Sequence, residues 1–349
     1  MTDVEKQNIR ELSLKELTEF LTAHNEKAFR AKQIWQWIWQ RGTTRFEEMT
    51  NLSKATQEML DNLFFFDKLE PQLTQTSSDG TVKTAWRLYD GEIVESVLIP
   101  GNQKFTVCVS SQVGCQLGCK FCATGTLGFR RNLTAGEIFE QVVAAKTAAE
   151  AQGLTLSNIV FMGMGEPLLN YDNVMQAIER LTANDGLAMS PYRITVSTAG
   201  IPDKIRQLAD DGARFNLAVS LHSADESTRT NLMPVNKAYS LADIAESLKY
   251  FVEKTGTRPT FEYLLLRDVN DSLEDAKTLA RYCRQFPIKI NLIEYNDVNS
   301  TGFRHSPDKK RDEFIRFLES CNMVVNLRRS KGKDIDAACG QLAGKQPKA

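Results

Sequence analysis

The sequence predicts an α/β protein: a parallel sheet, open or closed into a barrel, preceded by a small helical region. Three observations predict it. From about residue 104 short strand-like runs alternate with helical stretches, which is the pattern of repeated β–α units. Before residue 68 the apolar spacing is helical. Between the two the period changes to two, and Asp-Gly pairs mark hairpin turns. The chain of 349 residues is long enough for one large domain with an appendage.

Taken in order, Ser13 can cap a helix that carries Leu14, Leu17 and Leu21 on one face. Further helices are predicted over 28–41 and 54–64, giving a helical accessory domain over residues 1–68. Strands are predicted over 81–88 and 92–99, with turns at Asp79-Gly80 and Asp90-Gly91. This gives a β-hairpin linker over residues 69–103. The core follows over residues 104–344, with strands expected at 105–110, 158–162, 193–198, 215–221, 260–266, 289–293 and 324–328. The clearest helix covers 134–152, where Thr134 and Glu137 suit a capping box. In such folds chemistry gathers at the C-terminal ends of the strands. Residues 345–349 are expected to be a disordered tail.

Composition narrows the class. Basic and acidic residues number 43 and 44, a net charge of −1, with 42% apolar and 25% charged residues. That excludes disordered, collagen-like and low-complexity chains. No run approaches the ~18–20 apolar residues of a membrane span, and the N-terminus has no signal-peptide pattern. A cytoplasmic protein is therefore expected. Its seven cysteines are odd in number. In a reducing compartment they point to metal or redox chemistry, not to a disulfide framework.

Cys115, Cys119 and Cys122 follow the first core strand with spacing C-x3-C-x2-C. Three thiolates that close can hold three irons of a [4Fe–4S] cube and leave the fourth iron open. Structural zinc with Cys108 as fourth ligand is the alternative, although zinc sites favour two separated cysteine pairs. Gly163-Met164-Gly165-Glu166-Pro167-Leu168 follows the second core strand. Its glycines would let backbone approach a ligand, and its carboxylate could pair with an ammonium. Ser197, Ser220-Leu221-His222 and Asn296 end or follow later strands, where one ligand could touch them together. Each alone reads as well as a cap or a structural polar residue. Cys339 sits among small residues past the last strand, which suits a mobile, accessible loop. Cys283 and Cys321 lie on helical stretches and read as buried fillers.

The cysteine spacing, with Phe121 before the last cysteine, resembles the radical S-adenosylmethionine (SAM) signature. The combination of Cys108 with that motif, Arg131-Asn132-Leu133, the Gly163 turn, Ser220-Leu221-His222, Met233-Pro234-Val235-Asn236, Val269-Asn270-Asp271 and the Cys339 loop is more specific. It resembles the radical-SAM RNA adenine methyltransferases, from about residue 94 to 344. The resemblance implies a partial (β/α) barrel, a [4Fe–4S] cluster on Cys115, Cys119 and Cys122, and SAM contacts from Gly165, Glu166, Ser197, Ser220, Leu221, His222 and Asn296. It implies methylation at C2 of a 23S rRNA adenosine in the peptidyl-transferase centre and of adenosine 37 in some tRNAs. In that scheme Cys339 receives a methyl group from one SAM, and a second SAM yields the radical that activates it. Cys108 then resolves the protein–RNA adduct through a disulfide. Glu95 matches the proton acceptor of the family; without the resemblance it reads as an exposed strand carboxylate. A low-potential donor such as flavodoxin or ferredoxin, a monomeric state and no membrane partner complete the expectation.

Lys27, Arg30 and Lys32 are candidate RNA contacts, with Trp35 and Trp39 more consistent with core. Three other readings stay open at this point. The methyl group could go to adenine C8, as in a sister branch that confers antibiotic resistance, although Pro167 looks like the C2 branch. The chain could be a non-catalytic zinc- and RNA-binding protein. It could also be a glycyl-radical activating enzyme, which would not need the Cys108/Cys339 pair.

Overall fold

The computed structural model describes residues 6–298 and 302–344. The predicted tail over 345–349 lies outside the described residues.

The first region is helical. A two-residue strand β1 (Gln7–Asn8) precedes α1 (Leu14–Ala23), α2 (Phe29–Trp39) and α3 (Lys54–Leu63), and β2 (Phe64–Phe65) pairs back onto β1. Ser13 and Glu16 form a complete capping box at the start of α1. Leu17, Leu21, Ile34, Ile38 and Leu60 are buried between the helices. Trp35 and Trp39 are core, as their shared face predicts. Arg10 fastens this region to the rest: it ion-pairs with Glu140 and stands 5.4–5.9 Å from the ring centres of Trp39, Phe66 and Phe139.

Three antiparallel strands follow: β3 (Glu70–Thr76), β4 (Val82–Arg87) and β5 (Ile93–Pro100). The region read as a two-stranded hairpin linker therefore has a third strand. It also does not stand apart, because β5 pairs antiparallel with β6 (Lys104–Cys108), the first strand of the core.

Beyond β6, a short ribbon of β7 (Gln112–Gly114) and β8 (Phe129–Asn132) frames the cysteine loop. Then come α4 (Ala135–Glu150), β9 (Thr155–Phe161), α5 (Tyr171–Thr182), β10 (Ile194–Thr198), α6 (Pro202–Asp210), β11 (Asn216–Ser220), α7 (Glu226–Leu232), α8 (Leu241–Thr255), β12 (Thr260–Leu265), α9 (Leu273–Cys283), β13 (Lys289–Glu294), α10 (Asp308–Ser320) and β14 (Val324–Arg328). Thr134 and Glu137 cap α4 as predicted. The strands form one ten-stranded sheet in the order β14-β13-β12-β11-β10-β9-β6-β5-β4-β3. From β6 to β14 every neighbouring pair is parallel, and β14 and β3 are the two edges, so the barrel is partial and open. The central strands β10 to β12 are largely buried and carry Val, Ile and Leu, as a sheet covered by helices requires, whereas the edge strand β14 has no fully buried residue. Among the described residues no helix is long and apolar enough to cross a membrane.

Candidate active site

A cavity of about 160 Å³ opens at the C-terminal ends of the parallel strands. Cys115, Cys119 and Cys122 line one side of it. Gly165 and Glu166 after β9, Ser197 of β10, Ser220 of β11 and His222 line the others. Cys339, more than two hundred residues from the cysteine loop, also lines this cavity. A further concavity, about 880 Å³, lies on the helical domain among Arg45, Lys54 and Phe64 and contains no cysteine.

The cysteine loop is short and apolar-backed. Phe121, Leu232, Met233, Leu264, Ile293 and Tyr295 form a second hydrophobic cluster, with Cys119 and Cys122 packed against it. All three cysteines are free and half-buried. Burial, with the neighbouring thiols and Glu166 adding to it, pushes the Cys115 thiol up to about 12 and Cys119 higher still. Protein alone therefore keeps these sulfurs protonated, and a positively charged metal group is what would hold them as thiolates. Among the described residues no three His, Cys, Asp or Glu side chains converge as ligands of a single metal ion do. A cube asks for something different, since each thiolate takes a separate iron.

Glu166 is buried, and both its oxygens are in use. One accepts from Leu168 N at 3.0 Å and the other from Ala199 N at 2.7 Å. Burial pushes its pKa up to about 7 despite these bonds. Its neighbour Pro167 opens a short 3-10 turn, a position that suits proline for backbone reasons alone. The glycines of this turn serve the fold more directly than expected. A Cβ on Gly163 would sit 2.6 Å from Val109 O, and one on Gly165, where φ is +102°, would sit 2.5 Å from the Gln112 side chain. The close approach they allow is first to this chain's own backbone.

His222 has φ +57° and packs edge-on against Phe121, with ring centres 4.7 Å apart. Its Nδ1 accepts from Leu264 N at 3.0 Å, so the neutral ring carries its proton on Nε2. Burial, with Arg229 adding to it, pushes its pKa down to about 3, which keeps the ring neutral. Leu221 does not line the cavity: its side chain is core, its N–H donates to Glu262 O and its C=O accepts from Arg229. Asn296 stands beside the cavity. Its Nδ2 reaches Cys339 O at 3.5 Å, and its buried Oδ1 has no partner.

Cys108 ends β6 and is 7% exposed. With Cys339, Met162, Ile293 and Arg328 it lines a second cavity of about 110 Å³. Cys339 thus borders both cavities. It is exposed to them, yet the protein crowding around it raises its thiol pKa, Arg328 opposes that rise, and Glu262 and Cys122 add to it. Burial, with Cys339 adding to it, pushes Cys108 up to about 12.

Glu95 is 1% exposed, so the reading of it as a surface carboxylate is corrected. It lies 3.6 Å from Lys83 Nζ and accepts from Ala343 N at 2.9 Å. It lines neither of the two cavities. The Cys339 loop is also less free than its small residues suggest. Asp334 accepts from Ser77 and Ser78, Gly332 donates to Asp79, and Gly340 O accepts from Ala123 N.

Sequence reasoning missed Glu262. It is a lone carboxylate in the apolar strand β12, and that break in the pattern was the available signal. It lines the first cavity, accepts from Asn291 Nδ2 at 2.8 Å, and leaves its buried Oε2 without a partner.

Comparison with known proteins agrees with this arrangement. Residues 7–65 match the family described as ribosomal RNA large subunit methyltransferase N-terminal domain, and residues 109–281 match the radical SAM superfamily. The chain is 48% identical over 344 residues to a probable dual-specificity RNA methyltransferase RlmN of Flavobacterium johnsoniae, covering 98% of this chain and 99% of that one. It is 44% identical over 341 residues to the protein of the same name from Geobacillus thermodenitrificans, covering 98% and 94%. A crystal structure of a radical SAM methyltransferase from Sphaerobacter thermophilus superposes with a TM-score of 0.93 at 39% identity, covering 97% of this chain and 100% of that one. Fold, cysteine loop and full-length similarity together make this chain a member of the RlmN family of radical SAM RNA methyltransferases.

Proposed function

We propose that this chain methylates C2 of an adenosine in 23S rRNA and of adenosine 37 in tRNA, with Cys339 as the carrier and Cys108 as the resolving thiol. The observation that carries this reading is the place of Cys339, which borders both the cavity of the three-cysteine loop and the cavity of Cys108. The term dual-specificity in the names of the relatives supports two RNA substrates.

In this reading Cys115, Cys119 and Cys122 hold a [4Fe–4S] cluster and leave one iron for SAM. When bound, these groups supply the methyl group and the radical chemistry that an electron-poor ring carbon demands. Gly165, Glu166, Ser197, Ser220 and His222 surround the first cavity, with the unpartnered Asn296 Oδ1 beside it and Glu262 Oε2 on its wall. Leu221 contributes through its backbone, by fixing Ser220 and His222 on either side. The Cys108 thiolate attacks the Cys339 sulfur and forms a disulfide as the bond from that sulfur to the transferred methylene carbon breaks; that carbon leaves with the electron pair and takes up a proton to become the methyl group on the RNA. Glu95 anchors Ala343, four residues past Cys339. To accept the ring proton it exchanges that contact for the substrate.

The exposed Lys27 and Lys32, together with Arg329 and Lys331 at the mouth of the second cavity, suit phosphate contact. Arg30 is engaged by Gln33 and Asn51 and Arg131 by Asp90 and Glu137, so both are less available. A stacked target base is extruded to reach the cavity. The enzyme acts as a cytoplasmic monomer supplied by a low-potential donor of the flavodoxin or ferredoxin type.

The test is nucleoside mass spectrometry of unmodified 23S rRNA and tRNA treated anaerobically with reconstituted protein, reductant and methyl-labelled SAM. Label in 2-methyladenosine from both RNAs is the expected result. Label in 8-methyladenosine would overturn the C2 assignment, and label from one RNA alone would overturn dual use.

A further inference from the structure

Arg229 of α7 carries a buried charge that the proposed reaction leaves unused. Its side chain is 0% exposed. Nε donates to Leu221 O at 3.2 Å, Nη2 donates to Ala199 O at 2.6 Å, and Nη1 donates to Asn236 Oδ1. All three acceptors are neutral, and among the described residues no carboxylate bonds it directly. The nearest candidate, Glu226, is one residue removed: its oxygens take Asn236 Nδ2 at 2.6 Å and Leu241 N at 2.8 Å. A fully buried guanidinium without an anionic partner is costly, so its charge calls for one nearby.

The cysteine loop is where that partner lies. The last residue of α7 accepts through Leu232 O from Lys120 N at 3.0 Å, which pins the chain next to Cys119. Leu232 and Met233 belong to the apolar cluster that backs Cys119 and Cys122. Arg229 Nη2 also holds Ala199 O at 2.6 Å, and Ala199 lines the same cavity as the three cysteines, which sets the guanidinium beside the charge that bound thiolates would carry. The low-dielectric surroundings strengthen this interaction.

We propose that Arg229 is the buried counter-charge of the three-cysteine loop, and that its guanidinium raises the reduction potential of the iron–sulfur group held there. This rests on the reading that Cys115, Cys119 and Cys122 bind that group. Reduction takes one electron from an external one-electron donor and adds one negative charge to the thiolate-held cluster. A fixed cation beside it favours the reduced form, since net charge and local environment set such potentials. Arg229 acts through space and lines neither cavity, so it is a tuning and positioning residue. Two of these hydrogen bonds, to Ala199 O and Leu221 O, tie the ends of β10 and β11 together beneath the cavity.

The experiment is an anaerobic redox titration, followed by electron paramagnetic resonance, of reconstituted full-length protein and its Arg229→Lys and Arg229→Gln variants. Iron content and thermal melting are measured beside it. At a fixed ambient potential Arg229→Gln is expected to lower the reduced-to-oxidised ratio at least tenfold, about 59 mV for one electron. Arg229→Lys is expected to stay within about threefold of the parent. Loss of the cluster in Arg229→Gln with full loading in Arg229→Lys supports the charge role equally. An unchanged ratio in Arg229→Gln, equal shifts in both variants, or cluster loss in both would overturn it and leave a shape-specific clamp. Failure of the unsubstituted protein to take up a cluster would instead overturn the reading beneath it.

Discussion

Cys115, Cys119 and Cys122 lie within eight consecutive residues and part of their loop's hydrogen bonding is local, whereas the loop of Cys339 is fastened mainly by residues from far parts of the chain. In the first, Cys122 N donates to Cys119 O at 3.2 Å and Cys115 N donates to Gly128 O at 2.9 Å. In the second, Asp334 accepts from Ser77 Oγ at 2.5 Å and from Ser78 N at 3.0 Å. Gly332 N donates to Asp79 Oδ2 at 3.0 Å, Thr124 Oγ1 donates to Leu342 O at 2.6 Å, and Ala343 N donates to Glu95 Oε2 at 2.9 Å. The difference assigns a purpose to the antiparallel strands. They are the scaffold that presents Cys339 to the core, which is why they continue the main sheet.

Breaking one loop and then the other separates these two kinds of specification. The largest effect is expected from Cys115→Ala, which removes one of the three proposed cluster ligands. Iron content and methyl transfer should both be lost, while the Cys339 loop keeps its hydrogen bonds. Retained iron with retained activity would contradict the assignment.

The next effect is on Cys108, the proposed resolving thiol. Because burial holds Cys108 near 12, its thiolate fraction rises about tenfold per pH unit below that value. Release of methylated RNA in a single turnover should therefore rise about a hundredfold from pH 7 to pH 9, with no plateau. A plateau near neutrality would contradict release by a thiol held near 12.

Asp334→Ala sharpens the comparison from the other side. It removes the two hydrogen bonds, from Ser77 Oγ and Ser78 N, that help hold the Cys339 loop. Turnover should fall about tenfold with iron content unchanged. Parallel loss of iron would mean that the two loops are not independently held. The smallest effect is expected from Gly163→Ala, where the new Cβ meets Val109 O at 2.6 Å. Overpacking of this kind costs about 1–3 kcal/mol, and the melting temperature should drop by a few degrees. An unchanged melting temperature would show that the turn can yield.

Much of this was legible in the sequence where the signal is local. Ser13 and Thr134 cap their helices with complete capping boxes, and the core strands fall within a few residues of their predicted places. The cysteine spacing was legible for the same reason. What escaped depends on tertiary contact. The strand Glu70–Thr76 contains Pro71 and few apolar residues, so its pattern is that of an edge strand and gave no signal. The burial of Glu95 follows from Lys83 and Ala343, which no spacing rule brings together. The same holds for the close packing of Gly163 and Gly165 against residues 109–112, and for the restraint of the Cys339 loop. Leu221 was expected to touch the ligand, yet its strand position turns its side chain to the core.

The central claim is that Cys339 carries the methyl group between the two cavities and that Cys108 releases the product. Its most direct test is mass spectrometry of the Cys108→Ala protein after anaerobic reaction with RNA, reductant and SAM. The account predicts an intact cluster and an RNA adduct attached to a peptide containing Cys339. Free methylated RNA released by that variant, with no adduct on Cys339, would contradict it.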